Sequence, residues 1–285
     1  MKPASRAAAQ PMVVYSWDGK SLPFDNLQLD TPPEFSWLLF DYSGTQTPGI
    51  RTLRGQQVLL LSGATECKGE VLSAVAEHLI AADVTPEYVG IIDDDVVISI
   101  SQFNQALDLG RRARLDVFSP TLSPDSVVSH QWMVTQGRRT YREEDWVEVM
   151  MPFYRGSLFL AGRDFYRSNI SSWGVDCYLI PTLQQISGET RTALLDTVVA
   201  RHIRPVTSGH RVYKNGLMAN QEMGALRDAC IAHLQAQAPH LVGTPWFQRI
   251  FGPRGQNSWQ RRIRRRWRDL IGRVDFHTDE TTGRQ

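Results

Sequence analysis

The chain is expected to be an α/β protein: a mixed, mainly parallel sheet flanked by helices, with a helical appendage at its C-terminus. Three observations lead there. Three short apolar runs each end in small or polar residues. A stretch between the second and third run repeats its apolar residues at helical spacing. The three cysteines, Cys67, Cys177 and Cys230, are far apart and have no metal-ligand spacing, so no disulfide or metal framework organises the chain.

The first run is Trp37-Leu38-Leu39-Phe40, closed by Asp41-Tyr42-Ser43-Gly44. The second is Val58-Leu59-Leu60-Leu61, closed by Ser62-Gly63, and the third is Tyr88-Val89-Gly90-Ile91-Ile92, closed by Asp93. Strands covered on both faces read as continuous apolar runs because neither face meets water. Between the last two, Leu72, Val75, Leu79 and Ile80 fall on one side of a helix. A strand–helix–strand rhythm of this kind builds a parallel sheet, and ligands bind beyond the carboxyl ends of its strands. Met12-Val13-Val14-Tyr15 is expected to add an edge strand. Ser101–Arg112, Arg163–Ser168 and Asn220–Ala236 read as helices, and Asp116–Ser119 as a strand. Trp146–Phe153, Leu158–Leu160 and Val198–Ile203 are further apolar runs, and Pro239–Pro253 reads as an aromatic loop. Residues 1–34 are accordingly an N-terminal extension, 35–210 one α/β domain, and 211–285 a helical basic region.

The 285 residues, 42% hydrophobic and 21% charged, suffice for a sizeable core. The net charge of +1 hides an asymmetry: Arg249 to Arg273 holds nine arginines and one acid, Asp269, so the rest is mildly acidic. The scattered cysteines fit a reducing compartment. No apolar stretch follows the first ten residues, and no run approaches the roughly 18 apolar residues of a membrane span. A cytoplasmic location is expected, with peripheral attachment to the inner face of the membrane as an extension of it. The basis is the tail, where Trp259, Ile263, Trp267, Leu270, Ile271 and Val274 share one helical face among six arginines, after an aromatic cluster at Trp246, Phe247, Ile250 and Phe251. Such a helix suits an anionic membrane surface. Packing on the domain is the main competing reading, and nucleic acid is disfavoured.

The strongest motif is Asp93-Asp94-Asp95, directly after a buried strand. Adjacent carboxylates there repel and lose hydration, so something positive must offset them. A hard cation such as Mg²⁺ or Mn²⁺, shared with a diphosphate, would do so; a solvated acidic turn is the competing reading. His202, at the end of another apolar run, can be a third ligand with Asp93 and Asp95, or a structural histidine. Asp176, in Trp173-Gly174-Val175-Asp176, can accept a proton or hold a sugar hydroxyl, or simply make an Asx-turn. Glu148 is flanked by Trp146, Val147, Val149 and Met150. A strand carboxylate in that setting is either paired, with Arg155 the nearest partner, or used on a ligand.

Taken in order, these residues resemble a known family. Leu38 through Gly44, then Lys68, then Tyr88 through Asp95, look like the nucleotide-sugar half of GT-A glycosyltransferases. More specifically they resemble an uncharacterised GT-A-like family with plant and bacterial members. Ser119-Pro120-Thr121-Leu122, His130, Val147-Glu148, Met151-Pro152-Phe153, Trp173 through Asp176, and Asp196 six residues before His202 continue the likeness, from about Trp37 to Pro205. The resemblance implies a donor site and a metal, with Asp93 and Asp95 as first and last aspartates of a D-x-D motif and UDP as the commonest donor nucleotide. In that frame Asp41 and Tyr42 hold the ribose or stack on the base, Asp93 and Asp94 face the donor, and Lys68 meets a phosphate or is a solvated helix-start lysine. The implied activity is transfer of a sugar to a glycan or lipid-linked acceptor in surface polysaccharide synthesis, with Asp176 and Glu148 on the sugar or acceptor side. Two alternatives stand beside it. A nucleotidyltransferase would want a basic glycine-rich loop after the first strand, and Ser43–Thr47 holds no lysine or arginine. A non-catalytic nucleotide- or glycan-binding protein is the other.

Overall fold

In the computed structural model, residues 10–21, 25–53, 55–137, 139–205 and 210–252 are described. The basic tail from residue 253 onward, with its expected membrane helix, lies outside them, as do residues 1–9. The chain divides into two compact units, one up to Pro239 and one from His240.

The first unit is built on a mixed sheet, parallel along most of its paired length. Its strands are β1 (Met12–Trp17), β2 (Leu27–Gln28), β3 (Ser36–Asp41), β4 (Gly49–Leu53), β5 (Gln56–Ser62), β6 (Tyr88–Ile92), β7 (Val96–Ser99), β8 (Val117–Leu122), β9 (Arg142–Glu143), β10 (Phe153–Arg155) and β11 (Thr192–His202). The spatial order is β2-β7-β11-β8-β10-β6-β1-β3-β5-β4, with β9 paired to β11. The strands β5-β3-β1-β6 run parallel, as do β8 and β11, while β10 is antiparallel to both β6 and β8. All five residues of β6 are buried, as its unbroken apolar run requires.

The run expected to form an edge strand is instead β1, in the middle of the sheet. It pairs with β3 from Met12↔Ser36 to Trp17↔Asp41 and with β6 from Met12↔Val89 to Tyr15↔Ile92. Val13 and Val14 are fully buried there, which accounts for their apolar character on both faces.

Helix α1 (Lys68–Ala81) links β5 to β6 and buries Val71, Leu72, Val75, Ala76 and Leu79. Helix α2 (Ile100–Arg112) links β7 to β8. It starts at a capping box, in which Ser99 Oγ accepts from Gln102 N at 3.2 Å and Gln102 Oε1 accepts from Ser99 N at 2.9 Å. Two short helices, α3 (Gly156–Ala161) and α4 (Arg163–Tyr166), follow β10, so Leu158–Leu160 is helical. A wide π-helical turn (Val175–Leu179) then runs into α5 (Ile180–Ser187), and α6 (Ala219–Gln237) follows β11. Phe118 and Phe153 stack at 5.0 Å under the antiparallel junction, with Tyr88 edge-on to Phe118 at 5.1 Å. Fully burying each such side chain contributes about 1.5–3 kcal/mol.

The stretch Trp146–Pro152 is not a strand; only Phe153–Arg155 joins the sheet. Its backbone is drawn elsewhere: Met150 O accepts from Asp93 N at 3.0 Å and from Lys68 Nζ at 3.0 Å. In the second unit, Pro245–Ile250 forms α7, capped by Thr244 Oγ1 accepting from Phe247 N at 3.2 Å, where a loop was expected.

Candidate active site

The carboxyl ends of β1, β3 and β6 lie side by side, and each leads into a polar turn. At the end of β3, Asp41 is fully buried and accepts four hydrogen bonds. They come from Ser43 N (2.9 Å), Ser43 Oγ (2.6 Å), Gln46 N (2.8 Å) and Ser62 Oγ (2.6 Å). Burial works against its ionisation, but these donors outweigh it and hold its pKa below the usual range. Asp41 therefore shapes its own loop and has no oxygen left for a ribose, which corrects the role the resemblance implied for it. Tyr42 does face the acids: its hydroxyl donates to Asp94 Oδ2 at 2.9 Å.

The triplet Asp93–Asp95 forms the turn between β6 and β7. Lys68 partners the first acid, and Arg204 is shared by the other two. Asp93 Oδ1 lies 2.7 Å from Lys68 Nζ, and that ammonium also donates to the carbonyls of Ile91 (3.2 Å) and Met150 (3.0 Å). Lys68 is thus neither solvated nor reserved for a phosphate; it is committed to the turn. Desolvation still raises Asp93 to about 6 against the pull of Lys68. Asp94 takes Tyr42 on one oxygen and the guanidinium of Arg204 on the other. Its backbone carbonyl is held by Asn26 Nδ2 at 2.7 Å.

Asp95 and His202 meet because β7 and β11 pair antiparallel. His202 sits opposite Val96, and Ile203 N donates to Asp95 O at 3.1 Å. His202 Nδ1 engages the Val127 carbonyl at 2.7 Å, an arrangement in which Nδ1 carries the proton and Nε2 faces Asp95 Oδ2 at 3.4 Å. Burial lowers the histidine's basicity, but Asp95 and then Val127 outweigh it, so its pKa is raised. Asp95 is lowered in turn: desolvation opposes ionisation, and His202 and Arg204 overcome it. Asp95 Oδ1 is buried with no hydrogen-bond partner.

The expected set Asp93–Asp95–His202 does not form. Among the described residues, no three His, Cys, Asp or Glu side chains converge on a metal position, and Asp93 is taken by Lys68. What remains is a two-residue set, Asp95 and His202, with an orphaned carboxylate oxygen. It fits a hard cation that takes most of its ligands from phosphate oxygens and water.

Glu148 lies in the irregular segment that leads to β10. Ser129 Oγ donates to its Oε1 at 2.7 Å, while Oε2 is buried without a partner. Arg155 does not pair with it: Arg155 bonds Asp116 at 3.5 Å and lies over the Tyr88 ring. Desolvation raises Glu148 to about 7; Ser129 opposes this, the charges of Asp176 and Asp93 add to it, and His202 opposes it. Glu148 thus feels the charges of Asp176, Asp93 and His202, and His202 feels that of Glu148 in return. Asp176 lies in the first turn of the segment after Gly174. Its Oδ1 accepts from Cys177 N at 2.8 Å, and desolvation raises it to about 6 against that bond. Behind the turn, Glu222 of α6 accepts from Ile170 N and Ser171 N at 3.0 and 2.7 Å, fixing the approach to Trp173.

Two further residues of the resemblance have other partners. Asp196 accepts from Arg142 Nε at 2.9 Å and Gln136 N at 3.2 Å, a buried pair that pins the 131–136 segment. His130 packs against Trp132 and Trp146, and desolvation lowers it to about 4. Sequence reasoning passed over Arg204, Asn26 and Ser129. A signal for Arg204 existed: it is a cation two residues past a histidine already expected at the acids. The cavity of about 560 Å³ beside β5 and α1, lined by Ser62, Glu70, His78, Asn169 and Lys214, lies away from these acids.

No family model and no curated protein sequence matches the chain. Among solved structures, residues 1–349 of TarS from S. aureus align at a TM-score of 0.55 and 13% identity, over 92% of this chain and 79% of that one. The same fragment in complex with UDP-GlcNAc aligns at 0.51 and 13% identity, over 81% of this chain and 67% of that one. A structure of TarS of which 40% is covered aligns at 0.50 and 12% identity over 80% of this chain. At such identities the likeness is one of fold, and with the strand order and flanking helices above it establishes this chain as a GT-A-like α/β protein.

Proposed function

We propose that this protein is a metal-dependent glycosyltransferase that moves a sugar from a nucleotide-sugar donor, with UDP as its nucleotide, to a glycan or lipid-linked acceptor in surface polysaccharide synthesis. The observation that carries the reading is the pairing of Asp95, with its unpartnered buried oxygen, and His202 Nε2 at the strand ends of a GT-A-like fold. A neighbour of that fold is a complex with UDP-GlcNAc, which supports the choice of donor.

In this reading Asp95 and His202 hold Mn²⁺ or Mg²⁺, and the bound cation supplies charge stabilisation for the departing diphosphate. Lys68 keeps Asp93 neutralised and the turn rigid, and Tyr42 orients Asp94. Asp176 is the general base of an inverting transfer. The acceptor hydroxyl oxygen forms a bond to the anomeric carbon, and the bond from that carbon to the diphosphate oxygen breaks. The diphosphate leaves with the electron pair, and the hydroxyl proton passes to the Asp176 carboxylate. A carboxyl near 6 is mostly ionised at neutral pH and basic enough to take that proton. Glu148, largely protonated until about 7, donates a hydrogen bond to a sugar hydroxyl.

The test is thermal unfolding with Mn²⁺ and a panel of nucleoside diphosphates, followed by hydrolysis or transfer assays with the matching nucleotide sugars. UDP with Mn²⁺ should stabilise the protein by mass action, and Asp95→Asn should abolish the metal-dependent part. No stabilisation by any nucleotide would overturn the reading. Binding without turnover would leave a nucleotide-binding protein.

A further inference from the structure

Every acid of the triplet already has a cation from the protein, but the cations are held differently. Lys68 is 9% exposed and bonds two carbonyls besides Asp93, so it is fixed. Arg204 is 50% exposed. Its Nε donates to Asp95 Oδ2 at 3.1 Å and its terminal nitrogen meets Asp94 Oδ1. The chain aims it there, because Ile203 N is tied to Asp95 O and the next side chain turns back over the acids. The guanidinium is half exposed, so water or another anion can take over its hydrogen bonds when it leaves the acids. The oxygen it takes on Asp95 is the one that faces His202 Nε2. Arg204 and a cation bound by Asp95 and His202 therefore compete for the same carboxylate. A guanidinium released next to a diphosphate has a ready partner, because its planar fork matches two phosphate oxygens.

We infer that Arg204 is a displaceable internal counter-ion: it neutralises Asp94 and Asp95 in the free enzyme and is handed to the donor's diphosphate when a divalent cation takes Asp95. The inference rests on the proposed function for the identity of cation and diphosphate. It adds that cation and nucleoside diphosphate bind cooperatively and that Arg204 is the coupling element. Without a diphosphate, the cation must displace Arg204 with no compensation; with one, the arginine exchanges two carboxylates for phosphate oxygens. Coupling between two sites typically spans about 5–150-fold in affinity, and the same factor acts in both directions.

The experiment measures Mn²⁺ binding to the protein without nucleotide, by the paramagnetic resonance signal of free Mn²⁺, and UDP binding with and without Mn²⁺ by calorimetry. Wild type, Arg204→Gln and Arg204→Lys are compared, with circular dichroism as a check on folding. In Arg204→Gln, Mn²⁺ alone should bind about 10-fold tighter, UDP in the presence of Mn²⁺ should bind at least about 10-fold weaker, and the coupling between them should collapse. Arg204→Lys, a point charge without the fork, should fall between. Unchanged or weaker Mn²⁺ binding in Arg204→Gln overturns the inference while wild-type Mn²⁺–UDP binding keeps the functional reading intact. If wild type binds neither Mn²⁺ nor UDP, both fall together.

Discussion

Lys68 Nζ lies 2.7 Å from Asp93 Oδ1, so the first residue of α1 is bolted to the first acid after β6. The pair is largely shielded, and its ammonium also bonds two carbonyls. It explains how three consecutive carboxylates survive at a buried strand end: the one nearest the strand is neutralised from within.

Lys68→Met should destabilise the protein by about 1.5–3 kcal/mol, the usual contribution of a hydrogen bond to a charged group. Asp93→Asn in the same background should recover part of that loss, since the uncompensated charge is gone. A double-mutant cycle by chemical denaturation measures the coupling, and strict additivity would show that the pair contributes nothing.

Gly19 should tolerate no side chain. Its φ is +73°, and a Cβ there would lie 2.4 Å from both Asp41 Oδ1 and Ser43 Oγ. Gly19→Ala should cost about 1–3 kcal/mol in backbone strain and also disturb the Asp41 loop. Thermal unfolding and nucleotide affinity should both fall, and an unchanged melting temperature would contradict the close approach.

Glu148 makes stability fall with rising pH. Below its ordinary value of 4.5 the carboxyl is protonated in folded and unfolded chains alike. Between there and about 7 the unfolded chain releases a proton that the folded one keeps, so stability is lost across that window. Glu148→Gln, which retains an acceptor for Ser129, should match wild type at about pH 4 and exceed it at about pH 8, by at most on the order of 3 kcal/mol. Denaturant titrations at the two pH values decide it.

Asp176→Asn should leave UDP affinity unchanged and lower turnover by ~10²–10⁴-fold. Wild-type kcat/KM should rise with pH through about 6 as Asp176 loses its proton, and the variant's residual rate should lack that rise. Equal turnover in the two proteins would remove Asp176 from the reaction.

The parallel strands and α1 were legible because their burial writes a continuous apolar run or a one-sided helical stripe. Placement in the sheet was not. Met12–Tyr15 looks like any other apolar run, and its central position depends on two partners far along the chain. The stretch around Glu148 misled for a related reason. Val147, Met150 and Met151 are buried as a strand's would be, but Asp93 and Lys68 capture the Met150 carbonyl, and only Phe153 onward joins the sheet. The acids at the end of β6 could be located from sequence. Which side chains they would meet could not, because the pairing of β7 with β11 brings residue 202 to residue 95, and no local pattern encodes that register.

At the second position of α1, a Cβ would lie 1.8 Å from the Asn169 carbonyl oxygen, and Gly69 N itself donates to Ile170 O at 2.9 Å. Backbone presses on backbone there, with no flexible side chain to yield. The helix that carries Lys68 and the turn that leads to Asp176 are thus clamped at one residue without an atom to spare. A saturation library should return glycine alone at 69, while Ile80, on the exposed side of the same helix, accepts many residues. That single intolerant site is a ruler: any ligand that shifts the start of α1 must carry the 170–176 turn with it, so the surroundings of Asp93 and of Asp176 change in step.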